Sequence, residues 1–439
     1  TQSRSSAASD VYKRQALSQW LTTRGKVVVN EENQEILLRG MGPGGWMVME
    51  GYMMETEGVA GTQHEIKSNL IDLMGGEKTE LFFDKWLENH FTRRDVDSLA
   101  AWGFNSIRLP MHYNLFTLPI ESEPIEGNHT WLGKGFTMVD SLLDWCASKE
   151  MYLILDLHAT PGGQGYNADI SDYDDSKPSL WESKENRDKT VAFWKKIAER
   201  YKDEPWIGGY DLINETNWNL PGGTLLRNLY EEITDSIRAT GDEHILFIEG
   251  NWFANDYTGL TPPWDDNMVY SFHKYWSSLD NLDWIIPFRD QYDVPLWMGE
   301  SGENSNHWYY EVFKLLEENN IGWNFWTHKK VDKITSPYSA LVTPQYQIII
   351  DYLSGSITQP DPNIAGMGLT SFANSLKIEN CITRPGVIAS LTDAEYGEIS
   401  KPYITHSIPG TIPAAYYDIG AVSYTHLRAH ETLRYLVCR

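Results

Sequence analysis

Residues 207–215 read IGGYDLINE. An apolar run ends at Asn214-Glu215, so an amide and a carboxylate stand where a buried strand finishes, with Trp218 just beyond. The same form recurs in EILLRG (35–40), FNSIRLP (104–110), YLILDLH (152–158), HILFIEGN (244–251), MVYSFHKY (268–275), PLWMGES (295–301) and IGWNFWTH (321–328). Helical periodicity fills the gaps, as in RRDVDSLAAW (93–102), KTVAFWKKIAERY (189–201) and WYYEVFKLLEENN (308–320). Eight such strands alternating with helices over roughly 330 residues predict an α/β fold, the (β/α)8 TIM barrel. The strands are nearly all apolar, as parallel strands covered on both faces must be. VVVN (27–30) predicts a small hairpin closing the barrel floor.

Composition narrows the function. The formal net charge is −25 over 439 residues, which disfavours nucleic acid and anionic membrane as partners. No run of apolar residues is long enough for a transmembrane helix. Three cysteines, Cys146, Cys381 and Cys438, make neither a disulfide framework nor a metal motif. The 18 tryptophans exceed ordinary packing needs, and exposed aromatic faces grip flat apolar surfaces such as sugar rings. A monomer is expected.

In a barrel of this kind the carboxyl ends of all strands line one crater. Standing there are Arg108, His158, Asn214, Glu215, Asn251, His273, Tyr275, Glu300 and Trp326. Two glutamates on strands four and seven suit glycoside hydrolysis, one as acid/base and one as nucleophile or base. A carboxyl separation of ~5–5.5 Å retains the anomeric configuration and ~6.5–9.5 Å inverts it; ~5 Å is expected here. Their pKa values must be driven apart. Arg108 is expected to keep one ionised, and a neutral histidine or apolar wall to keep the other protonated. A purely structural pair of carboxylates salt-bridged to Arg108 is the competing reading.

LRGMGPGGW, SIRLP, DLHATPGGQ, LINE, SFHKY, WMGESGE and FWTHKK, in this order, resemble glycoside hydrolase family 5 over about 30–354. That resemblance implies a retaining β-glycosidase without metal or other cofactor, with Glu215 as acid/base and Glu300 as nucleophile. It further implies that Asn214 bonds the sugar 2-hydroxyl and that Arg108 and Tyr275 hold Glu300. His158 and His273 bind the sugar and tune the acid, and Trp326 floors the subsite. Trp323 competes for that last place, because residues three apart on a strand face opposite ways. GGWMVMEGYM (44–53) resembles the exo-β-1,3-glucanase branch, which implies that Glu50 and Tyr52 contact the non-reducing sugar.

The expected activity is retaining hydrolysis of cellulose-like or mixed β-glucan, as polysaccharide or oligosaccharide. The alternatives are a β-1,3-glucan exohydrolase and a non-catalytic sugar-binding barrel. Glu50 with a closed crater favours exo action; an open cleft lined by Trp181 and Trp218 favours endo action. Trp46, Trp181, Trp218, Trp252 and Trp276 are candidate sugar platforms. GMGPGG (40–45) matches a dinucleotide fingerprint formally, yet Pro43 and the following GGW suit a strand-one turn better. ADISDYDDSK (168–177) lacks the EF-hand spacing and reads as a solvated loop over the crater.

The domain reading assigns 16–378 to the catalytic barrel, including an acidic insertion at 54–85 with no assigned role. Residues 379–420 read as a linker; within them HSIPGTIPAAYYDIG (406–420) resembles the opening of a family 6 carbohydrate-binding module. Residues 1–15 and 421–439 share no character with the rest and read as adapter-derived text. A secreted protein is expected, with its export signal outside this chain.

Overall fold

The computed structural model describes residues 20–279 and 281–396. The two terminal tails and the segment resembling a carbohydrate-binding module lie outside them. Eight parallel strands close into a barrel: β1 (Arg39–Gly42), β2 (Ser106–His112), β3 (Tyr152–Ala159), β4 (Ile207–Asp211), β5 (Leu246–Glu249), β6 (Met268–Lys274), β7 (Leu296–Gly302) and β8 (Gly322–Trp326). Sequence order is spatial order, and closure pairs β8 with β1, Trp323 opposite Arg39 and Trp326 opposite Gly42. Helices such as Arg93–Ala101, Lys184–Tyr201 and Asn306–Glu318 cover the outside. Every residue of β2 to β8 is buried. This is the (β/α)8 TIM barrel expected from the strand pattern.

The floor is sealed by a hairpin of Leu21–Arg24 and Val27–Asn30. Leu21 joins Leu38, Ile154, Phe247 and Trp297 in a small apolar cluster there. The first strand starts later than expected, because Glu35 makes a lone antiparallel bridge with Val29.

The insertion becomes two helices, Gln63–Met74 and Gly76–His90. The first opens with a capping box: Thr62 accepts from the Glu65 amide while Glu65 accepts from the Thr62 amide. Their apolar faces pack against helices Pro344–Leu353 and Pro362–Ser375 in a second core built on Leu70, Trp86, Tyr346, Leu369 and Phe372. These helices thus lie on the insertion instead of filling the place of an eighth barrel helix.

That place is taken by Pro385–Thr392, a stretch whose composition reads as linker. Val387 enters the main core, and Leu391 packs against it. Ser390 to Ala394 share a groove of about 560 Å3 with Trp102, Phe104, Phe313 and Trp323, between the helices that follow β1 and β7. Tyr310 donates its hydroxyl to the Ala394 carbonyl at 3.3 Å. The chain from 379 to 396 is therefore attached to the barrel wall and is not a free linker.

Candidate active site

Arg108, near the middle of β2, is fully buried and organises the crater floor. Its Nε donates to Asp211 at 2.7 Å, Nη1 to Glu300 at 2.5 Å, and Nη2 to Glu249 at 2.9 Å and Asn214 at 2.8 Å. Asp156 stands 3.3 Å from Nη2. Four buried carboxyl groups share this one guanidinium, and burial works against charge on them. Burial, aided by Glu249 and opposed by Arg108, pushes Asp211 up to about 8. Burial also raises Asp156, against the pull of Arg108 and His158.

Glu300, at the end of β7, is held on both oxygens. Oε1 takes the Arg108 bond and Oε2 accepts from the Tyr275 hydroxyl at 2.8 Å. Glu215, just beyond β4, is held differently. Its amide donates to Glu249 at 2.6 Å, and its Oε1 accepts from His273 Nδ1 at 2.6 Å. Glu215 has φ 37, left-handed backbone that a non-glycine residue adopts only where surrounding bonds over-determine it. A carboxylate oxygen of Glu215, one of Glu300 and a ring nitrogen of His273 all lie within 4.8 Å of one another.

The two carboxylates are not tuned by a neutral histidine. Burial opposes charge on His273, but Glu249, Glu300 and Glu215 outweigh it and raise its pKa well above the usual value. Burial likewise opposes charge on Glu215, but the His273 bond and charge prevail and lower it. The proton of this pair therefore resides on His273, 2.6 Å from the glutamate oxygen. The expectation of a glutamate protonated beside a neutral histidine is corrected to an ion pair sharing one proton.

His158 is oriented from behind: Nδ1 donates to Asp156 at 2.8 Å. Burial lowers its pKa, but the Asp156 charge and bond win, pushing it up to about 9. Its ring stacks on Trp326, centroids 5.3 Å apart and planes 5° apart. Asn214 Nδ2 lies 3.5 Å from His158 Nε2, too far for a strong bond, which leaves both groups available to a sugar hydroxyl. Trp323 instead points outward, stacked on Phe313 and donating to Glu317 at 3.0 Å.

The strand-one loop walls one side. Trp326 Nε1 donates to the Tyr52 hydroxyl at 2.8 Å. Gly44 packs so closely on Trp326 that a Cβ would meet the ring at 2.6 Å. No helix follows for a dinucleotide; the loop runs into a single helical turn, Gly51–Met53. Glu50 is buried, and its Oε1 has no hydrogen-bond partner among the described residues. Burial, opposed by His158 and reinforced by Glu300, Glu303 and Glu215, pushes Glu50 up to about 8. Lys330 pairs with Glu303 and lies 5.4 Å from the Tyr52 ring centroid.

All ten candidate site residues thus meet around one crater. Asp156, Asp211, Glu249 and Gln164 join them unexpectedly. Gln164 donates to the carbonyls of His158 and Asn214 at 2.7 and 2.9 Å, tying two strand ends together. Among the candidate platforms, Trp46 and Trp181 are buried and bonded to backbone carbonyls. Trp218 is buried under Tyr166, rings 3.9 Å apart. Only Trp252 and Trp276 of that set are exposed.

A family model described as Cellulase (glycosyl hydrolase family 5) matches residues 65–331. The chain belongs to glycosyl hydrolase family 5. It is a glycoside hydrolase, with the retaining mechanism typical of the family. Among relatives, a beta-xylosidase of Phanerodontia chrysosporium is 29% identical over 374 residues, 76% of each chain. Endoglucanase C of Acetivibrio thermocellus is 26% identical over 318 residues, 58% of this chain and 88% of that one. A probable glucan 1,3-beta-glucosidase A of Aspergillus clavatus is 24% identical over 258 residues, 55% of this chain and 56% of that one. Among the described residues no helix is long and apolar enough to cross a membrane.

Proposed function

We propose that this family 5 hydrolase is exo-acting and removes single sugars from the non-reducing end of β-glucan chains with retention. The observation that carries retention is the 4.8 Å bound on the Glu215 and Glu300 oxygens, which fits the ~5–5.5 Å class and not the ~6.5–9.5 Å class. Exo action is favoured by Glu50, a buried carboxyl with an unpartnered oxygen beside Tyr52 and Trp326. A polar atom left so in a crater wall awaits a ligand hydroxyl, such as those of a terminal sugar. The burial of Trp181 and Trp218 removes the two platforms on which an open endo-acting cleft would rest.

In this reading Glu300 attacks the anomeric carbon while the bond to the leaving oxygen breaks. Glu215 gives that oxygen a proton, drawn through the 2.6 Å bond to His273. Forming the glycosyl ester removes the Glu300 charge that helps raise His273, and so eases the proton toward the leaving group. Water then attacks the anomeric carbon, its proton passing to the Glu215–His273 pair, and the bond from that carbon to Glu300 breaks, which frees the carboxylate. Asn214 and His158 hold the sugar. Asp211, kept neutral, separates charges around Arg108.

A β-xyloside is the second reading, favoured by the beta-xylosidase relative that covers 76% of the chain. The test is the product profile from cello-, laminari- and xylo-oligosaccharides at early times. Exo action releases the monosaccharide alone, with the shortened chain appearing one unit at a time. An initial mixture of internal fragments would defeat it. The series that turns over fastest names the glycone.

A further inference from the structure

Arg108 is well served without Glu249. Asp211 takes its Nε, Glu300 its Nη1, and Asn214 and Asp156 lie 2.8 and 3.3 Å from Nη2. Glu249, fully buried at the end of β5, adds a further carboxyl to Nη2 at 2.9 Å. Burying one more charge is costly, and a cation already surrounded does not call for it. The other contacts of Glu249 account for its presence. Its Oε2 accepts from the Glu215 amide at 2.6 Å. Its Oε1 lies 3.1 Å from Nε2 of His273, whose Nδ1 faces Glu215 Oε1 at 2.6 Å. The Nε2 proton is not aimed along that line, so this contact is charge on charge. Both Glu249 oxygens accept from donors, an arrangement that suits an ionised carboxyl. The Tyr230 hydroxyl donates to the Glu249 carbonyl at 3.0 Å and pins the strand end.

Glu249 therefore reaches Glu215 twice, once at the backbone and once through His273. The backbone contact matters because Glu215 sits at φ 37, and the bond to Glu249 is one of those that hold it there. The side-chain contact matters because charge encloses the His273 ring. Glu215 faces it from β4, Glu249 from β5 and Glu300 from β7 at 3.8 Å. Arg108, Asp211 and Tyr275 stand behind these, and His158 lies beyond Glu300. Of the three carboxylates, Glu249 does most to keep the ring charged against burial. We propose that Glu249 is a positioning residue for acid catalysis, forming with His273 and Glu215 a carboxylate–imidazolium–carboxylate row that keeps a proton in store for the leaving oxygen. The proton leaves Nδ1, crosses Glu215 and ends on the leaving oxygen. The ring, then neutral, keeps its Nε2 proton on the side of Glu249, and the proton of the attacking water later recharges it. This role rests on Glu215 being the acid in the reading above.

The test uses the full-length chain and the 2,4-dinitrophenyl and 4-methoxyphenyl β-glycosides of glucose and xylose. The first leaving group departs without a proton; the second needs one. For Glu249→Gln, the loss of kcat/KM on the methoxyphenyl substrate should exceed that on the dinitrophenyl substrate at least tenfold. The alkaline limb of its kcat/KM on the methoxyphenyl substrate should move down by about one pH unit, because an uncharged amide no longer holds the proton on the ring. Glu249→Asp keeps the charge and should leave the limb near that of the unmodified protein. Equal losses on both leaving groups, or an unmoved limb in Glu249→Gln, would overturn the role, as would a limb that Glu249→Asp moves equally far. Where neither variant folds, the ring itself is read by nitrogen NMR of the unmodified protein. The signals missing from His273→Gln should show both ring nitrogens protonated at about pH 8, and a single protonated nitrogen would overturn the role. If the unmodified protein cleaves none of the four glycosides, the exo-glycosidase reading itself fails and takes this role with it.

Discussion

Carboxylate oxygens of Glu215 and Glu300 lie within 4.8 Å of each other yet are held by different groups, and that difference supports the division of work we propose for them. Arg108 and Tyr275 each donate to one oxygen of Glu300, which suits the nucleophile proposed there. His273 Nδ1 stands 2.6 Å from Glu215, which suits the acid proposed there. Glu215→Ala should therefore still form the glycosyl ester from dinitrophenyl glycosides, whose leaving group needs no proton. Its second step should stall, and azide should rescue it with a β-glycosyl azide product. Glu300→Ala should lose turnover of all substrates by roughly 10²-fold or more, and azide should give only the α product. An α-azide from Glu215→Ala would reverse the assignment. The two glutamates were legible because polar residues closing apolar runs share a crater. Asp156, Asp211 and Glu249 were not recognised, although each is an acid inside or ending such a run. An ionisable group within a buried strand demands a partner, and among the described residues Arg108 is the buried cation placed to serve all three.

At the scale of elements, the insertion is tied to the crater loops through one carboxylate. Asp172 accepts from the His64 backbone amide and ring at 2.8 Å each, and from His112 Nε2 at 2.8 Å. It thereby joins the helix Gln63–Met74 to the end of β2. Burial opposes its charge, but the bonds from His112 and His64 hold its pKa far below the usual range. The His64 pKa is raised, chiefly by its bond to Asp172. A lowered acid stabilises above its unfolded pKa near 4 and loses that as pH falls. A raised histidine stabilises below its unfolded pKa near 6.5 and loses that as pH climbs. Both contributions are complete only between about pH 4 and 6.5. Asp172→Asn should thus cost on the order of 2 kcal/mol near pH 5.5 and less at pH 8.5, read as a larger fall in Tm at the lower pH. An equal fall at both values would remove the histidine from the account. The acidic loop reads in sequence as solvated because composition does not reveal that one of its aspartates meets two histidines distant along the chain. The helix Pro385–Thr392 was hidden in the same way. Pro, Gly and Ser around it suggest irregular chain, yet Pro385 at its first turn and Val387 with Leu391 one turn apart are helix signals of their own.

For the whole molecule, strand order and closure were legible because a parallel barrel writes its repeat openly into the chain. The accessory core of insertion and C-terminal helices was not, since neither half buries an apolar face without the other. The last described helix completes the wall. A chain ending at residue 378 should lose several degrees of Tm and bind an apolar dye at Trp102, Phe104, Phe313 and Trp323, whereas one ending at 396 should melt with the full-length protein. An unchanged Tm for the shorter chain would show that the wall stands without this helix. The same arrangement sets a timetable for the nascent chain. The barrel can close once β8 has left the ribosome, but the helix that covers the seam between first and last strands is still to be made. Its roughly 60 further residues take on the order of several seconds to synthesise. During that interval a nearly finished enzyme displays a band of aromatic rings to the crowded cell, so its yield on expression should depend on elongation speed and chaperone supply more than the stability of the finished fold would suggest.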